Sequence, residues 1–384
     1  MKDPFQKYRH ELRAWKNARK LRRELRFYTS RFDALRLVLP DETTIRNTLS
    51  GKFPGKKPKH KGSLNIIAIY HHYNWENESL KPSLQSFGHV RHYDWFDQFN
   101  HQREDWHKGI KEEMNRDLLR QVTEWNRSDA VDVVFTYLSG ALVSPEAMEE
   151  LNRLGIPLVN LALNDKESFV GKIRNGHATG MRDICRYFDI CWTSTEDSLK
   201  KYCVEGALPL YMPEGASPHI HKPHADEKMI DVSFVGQCYG NRPAIIQALK
   251  DRGVAVEAFG YGWPNGPLST EEMVRIYSRS RINLGFGGVA GHQNTFCLKG
   301  RDFEIPMSGG LYLTEHSPEL ERVFKPGREI LTYKTFDELV TKIRYFLAHP
   351  DEADTIRKAG ALRARAEHSW EMRFEKIFRL MGLI

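Results

Sequence analysis

Apolar positions follow two regimes along this chain. From residue 5 to 39 they recur at steps of three and four, at Phe5, Tyr8, Leu12, Trp15, Ala18, Leu21, Leu25, Tyr28, Phe32, Leu35 and Leu39, with one slip between 15 and 18. That spacing predicts an amphipathic helix with an interrupted heptad-like stripe. GKFPGKKPKHKG (51–62) has no period, and its Gly, Pro and Lys predict a flexible linker. Beyond it the pattern changes to short, nearly continuous apolar runs. LNIIAIY (64–70) has the character of a buried parallel strand, and further strands are expected at 89–93, 131–137, 156–161, 188–193 and 207–211. Helices are expected between them at 77–87, 109–127, 145–154, 177–187 and 196–203. Such alternation predicts a Rossmann-like α/β domain.

PEGASPHIHKPHADE (213–227) breaks the alternation with three prolines and is taken as the interdomain linker. Strands then resume at 230–236, 254–260, 281–286, 310–314 and 329–331, with helices at 241–252, 270–279, 335–348 and 351–366 and a short one through Glu304. The expected organisation is a basic helical arm and linker (1–62), a first Rossmann-like domain (63–212), a linker and second domain (213–368), and a last helix (369–384) that crosses back to the first domain.

Charge sharpens this division. Residues 1–62 hold 18 Lys or Arg against 6 Asp or Glu, whereas the other 322 hold 39 against 44. The arm is therefore basic and the body mildly acidic. Three uses compete for the arm, in this order: packing on its own body or on a second copy, contact with anionic lipid through Trp15, Phe27 and Tyr28, and attraction to nucleic acid as a polyanion. No run of 18 apolar residues occurs and no signal-peptide core opens the chain, which points to a cytoplasmic protein, peripheral to the membrane at most. Cys185, Cys191, Cys203, Cys238 and Cys297 form no CxxC pair and suit reduced thiols. His219, His221 and His224 lack an acid or thiol to complete a metal set, so no metal site is expected.

The richest stretch chemically is KGRDFEIPMSGGLYLTEHSPELERVF (299–324). Lys299 and Arg301 suit a diphosphate, Glu304 a ribose or sugar diol, and Gly309 and Gly310 a close approach of backbone amides to a ligand. Glu315 closes the following strand. An amphipathic helix with a solvated charged face accounts for the same spacing. Earlier, SFVGQCYGNR places Gly236, Gly240, Tyr239 and Arg242 at a strand-to-helix turn. GYGWPNG (260–266) and GFGGVAG (285–291) lack the dinucleotide spacing, but they suit loops in which Tyr261, Trp263 and His292 touch a base or sugar.

The 299–324 stretch, its continuation PGREILTYKTFDELVTKIRYFLAHPDEADTIRKAG, the later EHSWEMRFEKIF and the opening IIAIYHHYNWENESLKPSLQSFGHVRHYDW together resemble CgeB-type (spore-maturation-protein-like) glycosyltransferases, relatives of glycosyltransferase group 1. The resemblance spans roughly residues 63–380. It implies a GT-B fold, two Rossmann-like domains facing a cleft. It also implies transfer of a sugar from a nucleotide-diphosphate donor to a glycan, lipid-linked or protein acceptor. Group 1 relatives carry two glutamates eight positions apart; Glu304 matches the second, but Phe296 stands in place of the first. This departure puts the retaining stereochemistry of those relatives in question.

No Asp-x-Asp triplet occurs, so the expected diphosphate ligands are Lys299, Arg301 and Arg242 without a metal, and no cofactor beyond the donor substrate. Candidates for an acceptor base are Asp165, just beyond the strand IPLVNL, and Glu76 or Glu78, beyond the first strand. Helix capping explains each of these acids as well. A nucleotide-sugar 2-epimerase and a non-catalytic nucleotide-sugar binder are the alternatives with the same architecture.

Overall fold

The computed structural model of the chain describes residues 6–73, 75–289, 292 and 294–384. Of the expected features, Phe5 of the stripe and Ala290 and Gly291 of the GFGGVAG loop lie outside the described residues. The chain divides into two compact units. The first comprises residues 21–213 with 371–384; the second comprises the residues before 21 with 214–370.

In chain order, α1 (Gln6–Ala34) and α2 (Glu42–Lys52) precede β1 (Leu64–Ile69), α3 (Glu76–Gln85), β2 (Gly88–Tyr93), α4 (Lys111–Ser128), β3 (Val133–Thr136), α5 (Pro145–Arg153) and β4 (Leu158–Ala162). Then come α6 (Asp165–Ser168), β5 (Ile173–Arg174), β6 (His177–Ala178), β7 (Ile190–Thr193), α7 (Leu199–Val204) and β8 (Pro209–Tyr211). Six strands form one parallel sheet in the order β2-β1-β3-β4-β7-β8. The continuous apolar runs are explained by cover on both faces: Ile67, Ile69, Val133 and Leu161 are all fully buried. Phe374 and Phe378, near the chain's end, contribute to that cover, with ring centroids 5.2 Å from Phe135 and 5.1 Å from Phe87 respectively.

Three local expectations change here. The helix expected at 177–187 is instead the small antiparallel hairpin β5–β6 followed by a single turn at Cys185–Tyr187. Asn175 (φ 48°) and Gly176 (φ 83°) supply the left-handed pair that a tight hairpin turn demands, and this turn chemistry overrides the apolar spacing. The segment 51–62 is not a free linker. Lys52 pairs with buried Asp189 at 2.5 Å, Lys56 Nζ donates to Asp132 O at 2.6 Å, and Lys59 N donates to Leu383 O at 2.8 Å. The arm, finally, is not independent over its second half. Tyr28 and Phe32 are buried, Tyr28 Oη donates to Glu205 at 2.7 Å, and Glu24 pairs at 2.9 Å with Lys201, itself wholly buried. Tyr28 is therefore a core residue and not the interface anchor its stripe position suggested. The helix runs unbroken through the slip at 15–18.

The second unit continues with β9 (Ile230–Val235), α8 (Arg242–Asp251), β10 (Glu257–Phe259), α9 (Thr270–Arg279), β11 (Ser280–Leu284), α10 (Arg301–Met307), β12 (Tyr312–Glu315), α11 (Pro318–Val323), β13 (Leu331–Tyr333), α12 (Phe336–Ala348) and α13 (Pro350–Glu367). The last helix, α14, is Trp370–Leu380. The sheet is again parallel, ordered β10-β9-β11-β12-β13. Strand order reverses between β9 and β11, which is the place where open α/β sheets bind ligands beyond their carboxyl ends. The proline-rich segment after 213 is anchored within this unit: His221, 2% exposed, accepts from Ser217 N through Nδ1, and His224 N donates to Ser278 Oγ.

Candidate functional site

Beyond the reversal point of the second sheet the structure gathers most of the expected donor residues. β9 ends at Val235 and is followed by Gly236. A Cβ there would lie 2.8 Å from Arg301 Nη2 and 2.9 Å from Phe234 Cζ, so the glycine makes room for a guanidinium. The Gly236 amide itself is used, donating to Phe259 O at 2.8 Å. Arg301, at the start of α10, and Arg242, at the start of α8, both stack over the Phe234 ring at 5.4 Å. Arg242 also lies over Tyr239 at 4.2 Å and donates to Gln237 O at 3.0 Å. Burial, and then the charge of Arg301, lowers the pKa of Arg242, while Glu315 opposes the shift. Arg301 Nη1 is buried without a hydrogen-bond partner among the described residues. Two cations close enough to repel, with a donor left over, form an environment that an anion completes.

Acids surround this pair. Asp302 accepts from Lys299 N at 2.7 Å and from the Tyr312 hydroxyl, which fixes the turn that aims Lys299 and Arg301. Gly285 allows it, since a Cβ would lie 2.0 Å from Tyr312 Oη. Glu315 Oε2 accepts from Gly288 N at 3.0 Å. Its pKa is raised by burial, against the Gly288 and Gly287 amides and the charges of Arg242 and Lys299. Glu304 and Glu214 flank Gly300: its Cβ would stand 2.9 Å from Glu304 Oε1 and 3.4 Å from Glu214 Oε2. Burial lifts Glu304 to about 7 against the charge of Arg301. Burial and then Glu304 lift Glu214 to about 8, with Lys299 opposing.

Gly309 and Gly310 do not present amides to a ligand. Their N–H groups donate to Pro306 O and Ile305 O, both at 2.9 Å, and close the end of α10. Gly309 (φ 72°) takes the left-handed position, and a Cβ at Gly310 would strike Asn283 at 2.7 Å, so helix termination and packing require these glycines. Tyr261 is 70% exposed, and its carbonyl accepts from Cys238 N. His292 N donates to Val289 O. Phe296 pairs with Gly288 in an isolated bridge. Sequence reasoning passed over Glu214, Asp302, Tyr312 and Phe234. Asp302 was within reach as the acid between Arg301 and Glu304, but Glu214 is far away in sequence and only the fold brings it in.

The acids expected in the first unit are placed differently from one another. Asp165, 2% exposed, accepts from Tyr202 Oη at 2.8 Å. Burial raises it to about 6, against hydrogen bonds from Thr193 and Tyr202 and the charge of Lys201. A carboxylate so enclosed does not meet an acceptor, and its expected catalytic role gives way to a structural one. Glu76 Oε2 accepts from the backbone N of Tyr73 (2.9 Å) and Trp75 (3.1 Å) and fastens the loop before α3, which corrects the catalytic role expected of it too. Glu78 is exposed on α3. Elsewhere in this unit a cavity of about 260 Å³ is lined by His107, Lys111, Gly140, Glu146, Arg174 and His177, among other residues.

Two parallel α/β sheets of this kind define the GT-B fold, and solved structures agree. Sucrose-phosphate synthase from Thermosynechococcus elongatus superposes with a TM-score of 0.60 at 11% identity, over 83% of this chain and 98% of that one. Anabaena HepE in complex with UDP and glucose gives 0.58 at 8% identity, over 84% and 100%. An alpha-glucosyltransferase in complex with UDP and a 13-mer DNA gives 0.53 at 10% identity, over 83% and 100%. At these identities the likeness establishes the fold. Residues 242–379 match the family described as Glycosyl transferase-like. No curated protein matches the sequence.

Proposed function

We propose that this chain moves a sugar from a nucleoside-diphosphate sugar to a hydroxyl acceptor, with Arg242, Arg301 and Lys299 in place of a metal at the diphosphate. The observation that carries the reading is the mutually repelling arginine pair, Arg242 buried and Arg301 half-buried, with Arg301 Nη1 unpartnered among the described residues. Such a pair gains most from an anion that grows more charged as the glycosyl bond breaks. Glu304 and Glu214 take the ribose or sugar hydroxyls. Uridine is the first base to try, since HepE and the alpha-glucosyltransferase are both recorded with UDP.

The acceptor is a glycan, lipid-linked or protein hydroxyl, and the cavity around Lys111 and Arg174, with its many polar side chains, suits a hydroxylated one. The CgeB-type relationship and a cytoplasmic setting belong to the same proposal. Among the described residues no helix is long and apolar enough to cross a membrane. Thermal stabilisation by nucleoside diphosphates and nucleotide sugars, with and without EDTA, tests the donor reading. A selective shift that survives EDTA is expected. A shift abolished by EDTA overturns metal independence, and no shift with any nucleotide overturns the transferase reading.

A further inference from the structure

The cavity of about 260 Å³ in the first unit is enclosed by three segments, and each follows a strand of the same parallel sheet: residues 107–112 come after β2, 140–146 after β3 and 174–179 after β4. Segments that leave the carboxyl ends of parallel strands are where open α/β sheets hold ligands. Hydrogen bonds tie these walls to one another. Gly140 N and Ala141 N donate to Gly180 O and Thr179 O, both at 2.8 Å, and a Cβ at Gly140 would lie 2.2 Å from Ala178 O, so only glycine lets the two segments meet. Trp106 Nε1 donates to Ala141 O at 2.9 Å, and Lys111 Nζ to Gly140 O at 2.7 Å. Gly109, at φ 119°, turns the chain between His107 and Lys111. The cavity is therefore preformed, and a ligand spends little on ordering it.

Its charges do not cancel. Glu112 and Glu146 stand in the first turns of α4 and α5, where a helix N-terminus offsets a carboxylate. Glu146 is held below its ordinary pKa by its own backbone amide and, against burial, by the Ser144 hydroxyl. His177 lies 4.0 Å from Glu146 and 3.8 Å from Asp183. The cations have less to meet them. Lys111 gives one N–H to a carbonyl and has two left; burial lowers its pKa, and Glu112 and Glu146 offset only part of that. The Arg174 guanidinium has neither a hydrogen bond nor an ion pair among the described residues. His107 registers the sign of the local field: burial first, then Lys111 and Arg174, lower its pKa, and Glu112 alone opposes them. An anion placed here relieves two cations at once. Beside them, Thr179 Oγ1 accepts from Lys172 N at 2.9 Å and keeps its proton to donate, and Asn175 adds a side-chain amide. Hydroxyl and amide groups next to cations match an anion that is itself hydroxylated. A volume of 260 Å³ falls short of the roughly 300–1,000 Å³ that encloses a drug-sized ligand, which leaves room for one sugar unit.

We propose that this cavity binds a single sugar bearing an anionic group, a phosphate or a carboxylate, with Arg174 and Lys111 on the anion and Thr179, Asn175 and Glu112 on the hydroxyls. The site uses residues of the first unit only and involves no transfer step. It goes beyond the donor reading and is tested by binding alone.

The test is calorimetric titration of the full chain with glucose 6-phosphate, glucuronic acid, glucose and inorganic phosphate. Glucose 6-phosphate or glucuronic acid is expected to bind with a Kd of about 1 mM or tighter, and glucose and inorganic phosphate at least about 10-fold more weakly. The tighter of the two charged sugars identifies the anion. Arg174→Gln, at an exposed position on the β5–β6 hairpin, should weaken that sugar by about 10-fold or more while leaving the thermal shift given by UDP unchanged. Arg301→Gln should leave the charged sugar's affinity within about twofold, which separates this site from the diphosphate site. Glucose binding as well as the charged sugars overturns the anion, and inorganic phosphate binding as well as they do overturns the sugar. Affinity lost in Arg301→Gln and kept in Arg174→Gln places the probe at the diphosphate site and overturns the assignment. So does the absence of binding by either charged sugar at about 10 mM. A missing UDP shift defeats the transferase reading and leaves this one standing.

Discussion

The rims of the two sheets are built from the same topology and handle charge in opposite ways. Beyond β9 and β11, Arg242 and Arg301 are crowded over one phenyl ring with an N–H to spare, and Glu214 and Glu304 face each other across Gly300. Beyond β1 and β2, two carboxylates are matched: Asp94 with the His71 ring and the His72 and Phe96 amides, and Glu76 with two loop amides. Like charges held together cost stability and favour a ligand that relieves them, whereas a carboxylate met by N–H donors is stable alone.

The sharpest way to break this contrast is Arg301→Gln. If the arginine pair is a ligand site and not a structural brace, the variant loses about 10- to 100-fold in nucleoside-diphosphate affinity, the worth of about 1.5–3 kcal/mol for a charge-assisted contact. Without ligand its melting temperature stays level or rises, because a buried repulsion is removed. Calorimetric titration with UDP alongside a thermal melt reads both. A lower melting temperature with unaltered affinity would make the pair structural and erase the difference between the rims.

Much of this was legible before the fold was known. The two runs of alternating strand and helix, and the cluster Lys299–Arg301–Glu304, follow from residue spacing, because period and charge are local properties. The placement of Arg242 beside Arg301 was partly legible, as a cation opening the helix after a glycine-bearing turn. Glu214 was not, since only the fold carries it to Gly300. Gly309 and Gly310 misled because a glycine pair has the same appearance whether it admits a phosphate or ends a helix; the hydrogen bonds to Pro306 and Ile305 decide for the latter. Asp165 misled for a related reason: its position beyond a strand suited catalysis, but Tyr202, 37 residues on, closes over it.

The acid pair gives a second test, through pH. Glu214 at about 8 and Glu304 at about 7 lie above the ordinary 4.5, so the folded chain holds more protons than the unfolded one across that interval. Their contribution is full below about pH 4.5 and declines as pH rises toward 8. Glu214→Gln removes the more strained member. It is expected to match wild type near pH 5 and to exceed it by on the order of 2 kcal/mol near pH 8, with a flatter stability profile by urea unfolding. A variant less stable than wild type at pH 8 would show that the contacts Glu214 makes outweigh its repulsion with Glu304.

The smallest expected effect lies in α1, where neighbouring residues repeat the contrast between matched and unmatched groups at the level of single side chains. Tyr28 is buried, with its hydroxyl on Glu205 and its ring against Phe169 at 5.4 Å; Phe27, one position away, is 63% exposed. Tyr28→Phe deletes a partly buried hydrogen bond and should cost about 1 kcal/mol. Phe27→Ser should change stability by less than about 0.5 kcal/mol, as surface substitutions do. An aromatic ring held in water on a helix of basic residues is nonetheless suited to an anionic lipid surface. Sedimentation with vesicles of phosphatidylserine and phosphatidylcholine separates the two possibilities for Phe27. Weaker pelleting of the serine variant at unchanged stability would assign the exposed stripe to a membrane surface, and equal pelleting would leave α1 as a helix whose only task is the packing that Tyr28 and Phe32 perform.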